Sequence, residues 1–255
     1  MLKTLWNNRW YWLLGLLTFI FTLVLTTPLH FIWRYVAPYT QNLPVKISKV
    51  QGNVWQGKLS LYIPQLRELG ELNGRWQLSF LPLLQGKARV NLELEGDDLR
   101  LGLPLELTPS QLTLSQAQGY LNLNAIKPML QKQRGDAEGE VELSGLTAQV
   151  LLSPLQIQDL SGLLSYSGGR IALLVDGKPV AATMPRLMGQ LGMEQQNARL
   201  NLVTEQQESI LTGYLQPDGW TGLSIKRRFI DLLGQPWPAT VEPDTVVFEV
   251  SHKVL

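Results

Sequence analysis

Apolar and polar residues alternate one by one along several stretches of this chain, and this period of two constrains the fold more than any other feature. In the clearest stretch, leucine occupies every second position from Leu99 to Leu107. Successive side chains of a β-strand point to opposite faces of a sheet, so each such stretch predicts a strand with one apolar face. Similar alternation covers Val90 to Leu94, Val141 to Leu143 and Val246 to Val250. The chain is therefore predicted to be mainly β.

Turn residues punctuate these stretches and predict tight connections between antiparallel strands. Asp176-Gly177 is a good hairpin candidate, with Ile171 to Val175 before it and Val180 after it. A weak repeat also places a glycine ahead of an apolar strand start, where we expect it to let the backbone bend or bulge as one strand hands over to the next. The glycines of this repeat are Gly52, Gly74, Gly119 and Gly162.

A sheet with one apolar face must cover that face, so we expect it to curve into a groove or half-barrel, or to close against a partner. Helical signals are short by comparison. Asn124 is placed to cap a helix through Pro128 to Leu130 that ends near Gly135, and Phe229 to Leu233 predicts another turn or two. The expected fold is a long, curved antiparallel β-sheet, a groove or half-barrel meander, with one or two short helices.

The N-terminal segment has a different character. No charged residue occurs between Arg9 and Arg34, and Trp10 to Leu29 is predominantly apolar. About 20 helical residues span roughly 30 Å, the thickness of the hydrocarbon core of a bilayer. A cleavable signal peptide has a shorter apolar core and a small-residue cleavage site, which Thr26 to Leu29 does not offer. A buried core helix rarely has aromatic flanks at a chain terminus. We therefore expect an uncleaved transmembrane helix.

This helix divides the predicted chain into four parts. Residues 1–9 are predicted as a cytoplasmic tail, residues 10–29 as the transmembrane helix, residues 30–46 as a stiff tether that contains prolines, and residues 47–255 as a β-rich domain in the periplasm or outside. The orientation follows from the short basic N-terminal tail, which tends to stay inside, whereas long domains are translocated largely regardless of their charge.

Charge and residue content exclude several classes of function. The net charge of +1 over 255 residues leaves no concentrated basic face for a nucleic acid. The lack of cysteine excludes disulfides, thiol nucleophiles and thiolate metal sites, and His30 and His252 lie too far apart in sequence to suggest a metal pair. No phosphate-binding glycine loop, serine-hydrolase motif or zinc-protease motif occurs. We expect no enzyme activity and no cofactor.

One basic run stands out from the otherwise dispersed charges. Lys226, Arg227 and Arg228 are consecutive and precede the second predicted helix. Such a run can contact lipid headgroups or an acidic partner protein, although a solvated turn is its default explanation. It is the candidate basic contact of this chain.

Two tryptophan motifs follow the predicted tether. The first is a G-x-x-W-x-G pattern, and the second is a tryptophan in an alternating stretch about twenty residues later. A hydrophobic turn that ends in Gly86-Lys87 comes next. In order and spacing, behind an apolar N-terminal segment, these motifs resemble the type II secretion protein N family. The resemblance is specific over residues 1–95 and architectural beyond. The motif residues are Gly52, Trp55, Gly57 and Trp76.

The resemblance implies a single-pass subunit of the bacterial inner membrane with its C-terminal domain in the periplasm. It implies an accessory role in the machinery that exports folded proteins across the outer membrane, with partners in the inner-membrane platform, the pseudopilus or the secretin, and it supplies no catalytic residues. The glycine-to-strand units also resemble the broader AsmA-like envelope proteins. A membrane-anchored lipid-binding or lipid-transfer protein is therefore the alternative.

The motif residues themselves allow two interpretations. Trp55 and Trp76 are either packing residues, with glycines beside them because a large ring needs an uncrowded neighbour, or exposed anchors for a partner protein. Gly52 and Gly57 are interpreted as residues that serve backbone geometry rather than contact. Together the four form the candidate docking motif.

Overall fold

A computed structural model of the chain describes residues 9–26, 45–132, 134–175, 178–236 and 240–253, and these residues are mainly β. The strands are β1 Lys46–Gly52, β2 Gln56–Tyr62, β3 Leu72–Ser79, β4 Ala88–Glu95, β5 Leu99–Leu107, β6 Gln111–Asn122, β7 Asp136–Ala137, β8 Glu140–Leu152, β9 Leu155–Tyr166, β10 Gly169–Val175, β11 Lys178–Met184, β12 Leu187–Glu194, β13 Asn197–Thr204, β14 Ser209–Leu215, β15 Trp220–Lys226 and β16 Val246–Lys253. The helices are α1 Arg9–Thr26, α2 Phe80–Leu83, α3 Lys127–Lys132 and α4 Arg227–Leu232.

Helix α1 covers most of the apolar N-terminal segment. Its side chains from Tyr11 to Phe19 are exposed, and the hydroxyls of Thr18 and Thr22 donate hydrogen bonds to carbonyl oxygens one turn back. Among the described residues, none of the helices combines the length and the apolar character that a membrane crossing requires. The spanning helix over residues 10–29 stays a prediction. The tail up to residue 8 and the tether up to residue 44 lie outside the described residues.

The strands form one long antiparallel sheet and one small sheet. The long sheet has thirteen strands in the order β1-β2-β3-β4-β5-β6-β8-β9-β12-β13-β14-β15-β16. The three strands absent from this order pair with each other as β11-β10-β7. The predicted antiparallel sheet is confirmed. The Asp176-Gly177 hairpin is confirmed through its flanks, since Val175 pairs with Lys178, although the turn residues lie outside the described ones.

The register of the long sheet places apolar residues and glycines opposite one another across all thirteen strands. Paired residues on neighbouring strands share a face, so this register creates a continuous apolar face. One row of it consists of Val50, Leu59, Gly74, Leu94, Leu101, Gly119, Leu143, Leu164, Gly189, Leu202, Leu211, Ile225 and Phe248.

The glycines of the sequence repeat serve this face in a way that the sequence did not indicate. We expected them where one strand hands over to the next, but Gly74, Gly119 and Gly162 lie inside β3, β6 and β9. A Cβ at Gly74 would lie 2.6 Å from Leu59 Cδ1, and one at Gly119 would lie 3.0 Å from Leu101 Cδ2. The expected position at a strand handover is therefore wrong for these three glycines, whereas the expected bulge is found at Gly119, where the register of β6 and β8 shifts. Those at 74 and 119 leave room for leucines of the neighbouring strands.

The two ends of the strands differ in how they are closed. At the end where β1 begins, several connections are long, and they contain helices α3 and α4 and the small sheet; we call it the capped end. At the opposite end, most connections are tight turns, as at residues 108–110, 153–154 and 195–196; we call it the open end. The chain enters the long sheet at its capped end.

The hydrophobic core lies at the capped end. The larger cluster contains Tyr166, Leu187 and Ile210 from the long sheet, Val180 and Met184 from β11, and Ile230 and Leu233 at helix α4. The Tyr166 hydroxyl donates a 2.6 Å hydrogen bond to the carbonyl oxygen of Glu138, which ties the long sheet to the connection beside β7. A second cluster joins Leu61, Leu69, Leu72 and Ala125. Toward the open end the same apolar face is only half-buried, as at Leu92, Leu103 and Leu200.

The short helices match the prediction in place and differ in detail. Helix α3 lies within the segment predicted from Asn124 to Gly135, and α4 overlaps the segment predicted at Phe229 to Leu233. The capping residue is Asn122 rather than Asn124, and it caps a 3₁₀ turn, Leu123–Ile126, that precedes α3: the Asn122 Oδ1 atom accepts a 3.0 Å hydrogen bond from the Asn124 N–H. Helix α2 is an additional single turn, so the described residues after residue 45 contain three short α-helices where one or two were expected.

Candidate functional site

The G-x-x-W-x-G motif forms the β1–β2 hairpin at the open end. Gly52 and Gly57 pair across the hairpin. Gly52 has φ +116°, a backbone conformation that residues other than glycine rarely adopt. Asn53 closes the turn: its Oδ1 atom accepts hydrogen bonds of 3.0 and 2.9 Å from the N–H groups of Trp55 and Gln56. The motif thus specifies one turn geometry.

The second tryptophan packs on this hairpin. Trp76 pairs with Gly57 in the register of β2 and β3 and lies on the apolar face. A Cβ at Gly57 would overlap both the six-membered ring of Trp76 and the carbonyl oxygen of Gln51. Gly57 therefore lacks a side chain because the indole occupies its place. Trp76 thus packs within the chain, as the first of the two interpretations of the motif has it. Docking of a partner by the Trp76 ring stays a prediction.

The first tryptophan links the hairpin to helix α2. The Trp55 carbonyl oxygen accepts a 2.6 Å hydrogen bond from the Leu78 N–H, and the Trp55 ring meets the Phe80 ring edge-to-face with centroids 5.3 Å apart. An aromatic pair of this geometry contributes about 0.5–1.5 kcal/mol beyond its buried area. The hairpin thus holds the first residue of α2 in place.

Helix α2 presents apolar side chains to solvent next to this junction. Leu81 and Leu84 are 74% and 72% exposed. Other turns of the open end carry further exposed apolar side chains, and we call the set the apolar rim. Its members are Phe80, Leu81, Leu83, Leu84, Leu107, Leu152, Leu155 and Trp220.

The sequence contained part of the signal for this rim. Residues Phe80 to Leu84 stood in the motif that carries the family resemblance, yet they were not proposed as site residues. Four large apolar residues around Pro82 are typical of a buried segment as well as of an exposed one, so the sequence did not distinguish the two. Their exposure follows from the position of the turn beyond the end of the sheet.

Charges close to the rim are mutually paired. Glu106 on β5 accepts hydrogen bonds from Arg89, the shorter 2.6 Å long, and lies 3.1 Å from Lys87 Nζ. These bonds from Arg89 and Lys87 lower the pKa of the Glu106 carboxyl below its ordinary value. Glu106 is therefore ionised at neutral pH, and its charge holds Lys87 and Arg89 beside it on the polar face.

The basic run lies at the far, capped end. Lys226 Nζ lies 3.4 Å from Asp244 Oδ1, and Arg228 pairs with both Asp244, at 3.0 Å, and Glu208, at 2.7 Å. Arg227 donates to the Val241 carbonyl oxygen and lies 3.5 Å from Asp231. All three basic side chains thus have partners within the chain, and they are only 17–22% exposed. Contact with lipid headgroups stays a prediction.

The structure therefore does not bring all the predicted site residues together. Gly52, Trp55, Gly57 and Trp76 form one site at the open end, whereas the basic run belongs to the capped end. In the part of the chain that the structure describes, no group of three or more His, Cys, Asp and Glu side chains is arranged to hold a metal. The open end carries the exposed apolar side chains of the rim.

Substitution of Gly57 tests the packing of the hairpin. Gly57→Ala should lower the free energy of unfolding by about 1–3 kcal/mol, because the new methyl group displaces the indole and a backbone carbonyl. Gly102→Ala is the matched control, since a Cβ there meets nothing within 4 Å. Urea unfolding of both variants measures the difference. An equal loss in the two variants would show that Trp76 does not occupy the place of a Gly57 side chain.

A pH series tests the ion pairs of the capped end. Hydrogen bonds from Arg228 and Lys226 lower the pKa of Asp244. Because this pKa is lower in the folded than in the unfolded protein, the Asp244 charge stabilises the fold at pH values above 3.8, the ordinary pKa of the group. The stabilisation is lost as the pH falls through the folded-state pKa. Asp244→Asn should therefore lower the melting temperature at pH 7, and the difference from the natural chain should shrink below about pH 4.

Asp159→Asn serves as the control for this series, because none of the ion pairs among the described residues involves Asp159. Its melting temperature should follow that of the natural chain at each pH. A constant deficit of Asp244→Asn from pH 7 to pH 3 would contradict the role of the Asp244 charge.

Comparison with known proteins adds one result to this geometry. Residues 44–227 match the family model for the type II secretion system (T2SS), protein N. The match begins just before β1 and ends in helix α4, so it includes both tryptophan motifs and most of the long sheet. No curated protein matches the chain. The match covers well over half of the chain, and the chain belongs to the type II secretion system protein N family.

Proposed function

We propose that this protein is a membrane-anchored accessory subunit of the type II secretion machinery that docks other components through the apolar rim at its open end. Membership of the family supports a part in type II secretion. The observation that carries the docking role is the exposure of Leu81 and Leu84 on a turn that the tryptophan motifs hold in place. The absence of catalytic activity is part of the proposal.

The rim has the properties of a contact surface. Exposed apolar side chains that lie together on the surface of a protein mark interaction sites. Burial of one leucine side chain in an interface contributes about 1.5–3 kcal/mol. The turn that carries Leu81 and Leu84 is braced by the Trp55–Phe80 ring contact and by the Leu78–Trp55 hydrogen bond. Little ordering of this turn is therefore needed on binding, which favours affinity.

The membrane anchor is the second part of the proposal. It is supported by the predominantly apolar segment from Trp10 to Leu29 and by the exposure of the side chains from Tyr11 to Phe19. An anchor in the inner membrane would hold the β-rich part in the periplasm, and partners that share the membrane would meet it at raised local concentration. Because the preceding chain joins the sheet at the capped end, the open end stays available for contact.

A secretion assay tests the docking role. Cells that lack the natural protein receive either the natural chain or the variant with Leu81→Glu and Leu84→Glu, and release of a substrate of the machinery into the medium is measured. We expect at least about a tenfold weaker contact and a matching fall in secretion, because two buried leucines would be replaced by charges. Gln85→Glu is the matched control: it adds a charge to the same exposed turn without removing an apolar side chain.

Fractionation of the same cells completes the test. All three forms should be recovered in equal amounts from the inner-membrane fraction. Recovery of the natural chain in the soluble periplasm would contradict the anchor, and normal secretion by the double variant would contradict the docking role.

The apolar face also favours a second candidate function, the binding of lipid. A groove of about 420 Å³ lies on this face between β9 and β16, and Leu160, Leu191, Leu200, Leu223 and Val250 line it. Residues of both β9 and β16 border the same groove, so the sheet curls around it. A groove with an apolar floor could hold an acyl chain. Stoichiometric phospholipid on the purified chain in native mass spectrometry would favour this candidate over docking.

A further inference from the structure

A notch interrupts the pairing of the long sheet near its open end. Strand β9 pairs with β12 over Gly162–Tyr166, opposite Leu187–Leu191. Upstream of this pairing, residues 155–161 of β9 have β8 on one side and, among the described residues, no paired strand on the other. Gly192–Glu194 of β12 likewise pair with β13 and with no strand on the β9 side. Two unpaired strand edges thus face the same notch.

Bulges beside the notch account for its opening. The registers of β5–β6, β6–β8 and β8–β9 all shift in the same part of the sheet. Gln116 and Gly145, with φ of 57° and 62°, lie at these shifts. A bulge bends its strand and increases the local twist. The open-end half of β9 is therefore directed away from β12 just where their pairing ends.

Apolar side chains lie beside the free part of β9. A cavity of about 240 Å³ between the tips of the hairpins is bordered by Val150, Leu155, Ile157, Ala198 and Leu215. The cavity shares Ala198 and Leu215 with the larger groove on the apolar face. Neutral glutamines, Gln156, Gln196 and Gln216, supply polar groups at its border. A ligand in the notch would therefore meet an apolar surface on one side and amide groups at the margin.

Backbone chemistry decides what kind of ligand fits. On an unpaired strand edge, alternate residues direct both N–H and C=O groups outward, and these groups are costly to bury without a partner. A second extended peptide supplies the complementary groups at the same spacing, about 3.3 Å per residue. The free part of β9 is seven residues long, from Leu155 to Ser161, which corresponds to roughly 23 Å.

The free part of β9 carries few of the charges that usually protect a strand edge. Natural edges are blunted by lysines, by proline or by bulges. The outer edge strand β1 has Lys46, Lys49 and a register shift between Ile47 and Lys49. Between Leu155 and Ser161 the one charged residue is Asp159. Both edges contain a register shift, which lies beside Gln158 in β9, but the free part of β9 has no lysine.

We propose that the notch between β9 and β12 binds an extended segment of a protein partner by strand addition, with apolar residues at every second position. This inference rests on the proposed docking function and assigns it a binding mode. The added strand pairs with β9 at Leu155–Ser161. Its apolar side chains face Ile157 and Leu215 in the cavity, and the intervening polar side chains face solvent.

Hydrogen exchange on the full chain, purified in detergent, tests the proposal. The probe is an acetylated and amidated peptide of about nine residues in which valine and threonine alternate, with two lysines added for solubility. Its binding should slow exchange of amides within residues 155–161 at least about tenfold. The control peptide has the same side chains but is N-methylated at alternate residues, which removes its hydrogen-bond donors; its affinity should fall at least about tenfold.

Two lysine substitutions on β9 serve as matched variants. Leu155→Lys places a charge at the cavity on an exposed position that folding does not depend on, and it should weaken peptide binding about tenfold. Leu163→Lys makes the same change at an exposed position of β9 that lies outside the free part and does not line the cavity, and it should leave binding unchanged. Equal melting temperatures of the two variants confirm that both are folded.

Several results would overturn the proposal. One is equal binding of the N-methylated peptide, which would indicate side-chain docking without strand pairing. Another is protection at β1 or β16 instead of residues 155–161. A third is phospholipid in the groove that the peptide does not displace. None of these results bears on the secretion assay of the rim variants, so failure of the strand-addition mode is distinguishable from failure of the docking function.

Discussion

A continuous apolar face across thirteen strands is the constraint on which the rest of this structure depends. Such a face is costly to leave in water. Among the described residues, the chain has helix α4 and the three-stranded sheet packed against it. It uses them at one end, where Leu72 and Ile210 are fully buried. Elsewhere the sheet covers part of the face itself. Leucine side chains pack over glycines of the neighbouring strands, such as Gly74 and Gly119. In the C-terminal half, strands from β9 to β16 border one groove.

This division of the sheet explains where function is expected. The capped end holds the core and the paired basic residues, so it serves stability, as the ion pairs of Arg228 illustrate. The open end keeps half-buried leucines and a rim of exposed ones. In the β1–β2 hairpin, the Trp55 ring packs on Phe80 and the Trp76 ring packs on Gly57, so both rings stabilise this end. The proposed contact surface consists of the aliphatic residues beside them. The proposed docking function uses surface that the fold leaves uncovered.

Local patterns predicted the strands well, because a period of two is visible within each strand, as from Leu99 to Leu107. They did not predict that β10 and β11 leave the long sheet, since the alternation of a strand is the same in either sheet. The glycine repeat was misplaced for a related reason. Whether Gly74 ends a strand or accommodates Leu59 depends on the neighbouring strand, which the sequence does not specify. The exposure of Leu84 likewise depends on tertiary structure.

The most direct test of this account is the solvent accessibility of the apolar face in the purified full chain, measured by hydroxyl-radical footprinting with mass spectrometry. The account predicts that Leu103 and Leu200, on the half-buried part of the face, are oxidised several times faster than Leu72 and Ile210 in the core. The exposed Leu84 provides the upper reference. Equal protection of all four face and core residues would contradict it, because the apolar face would then be covered along its whole length.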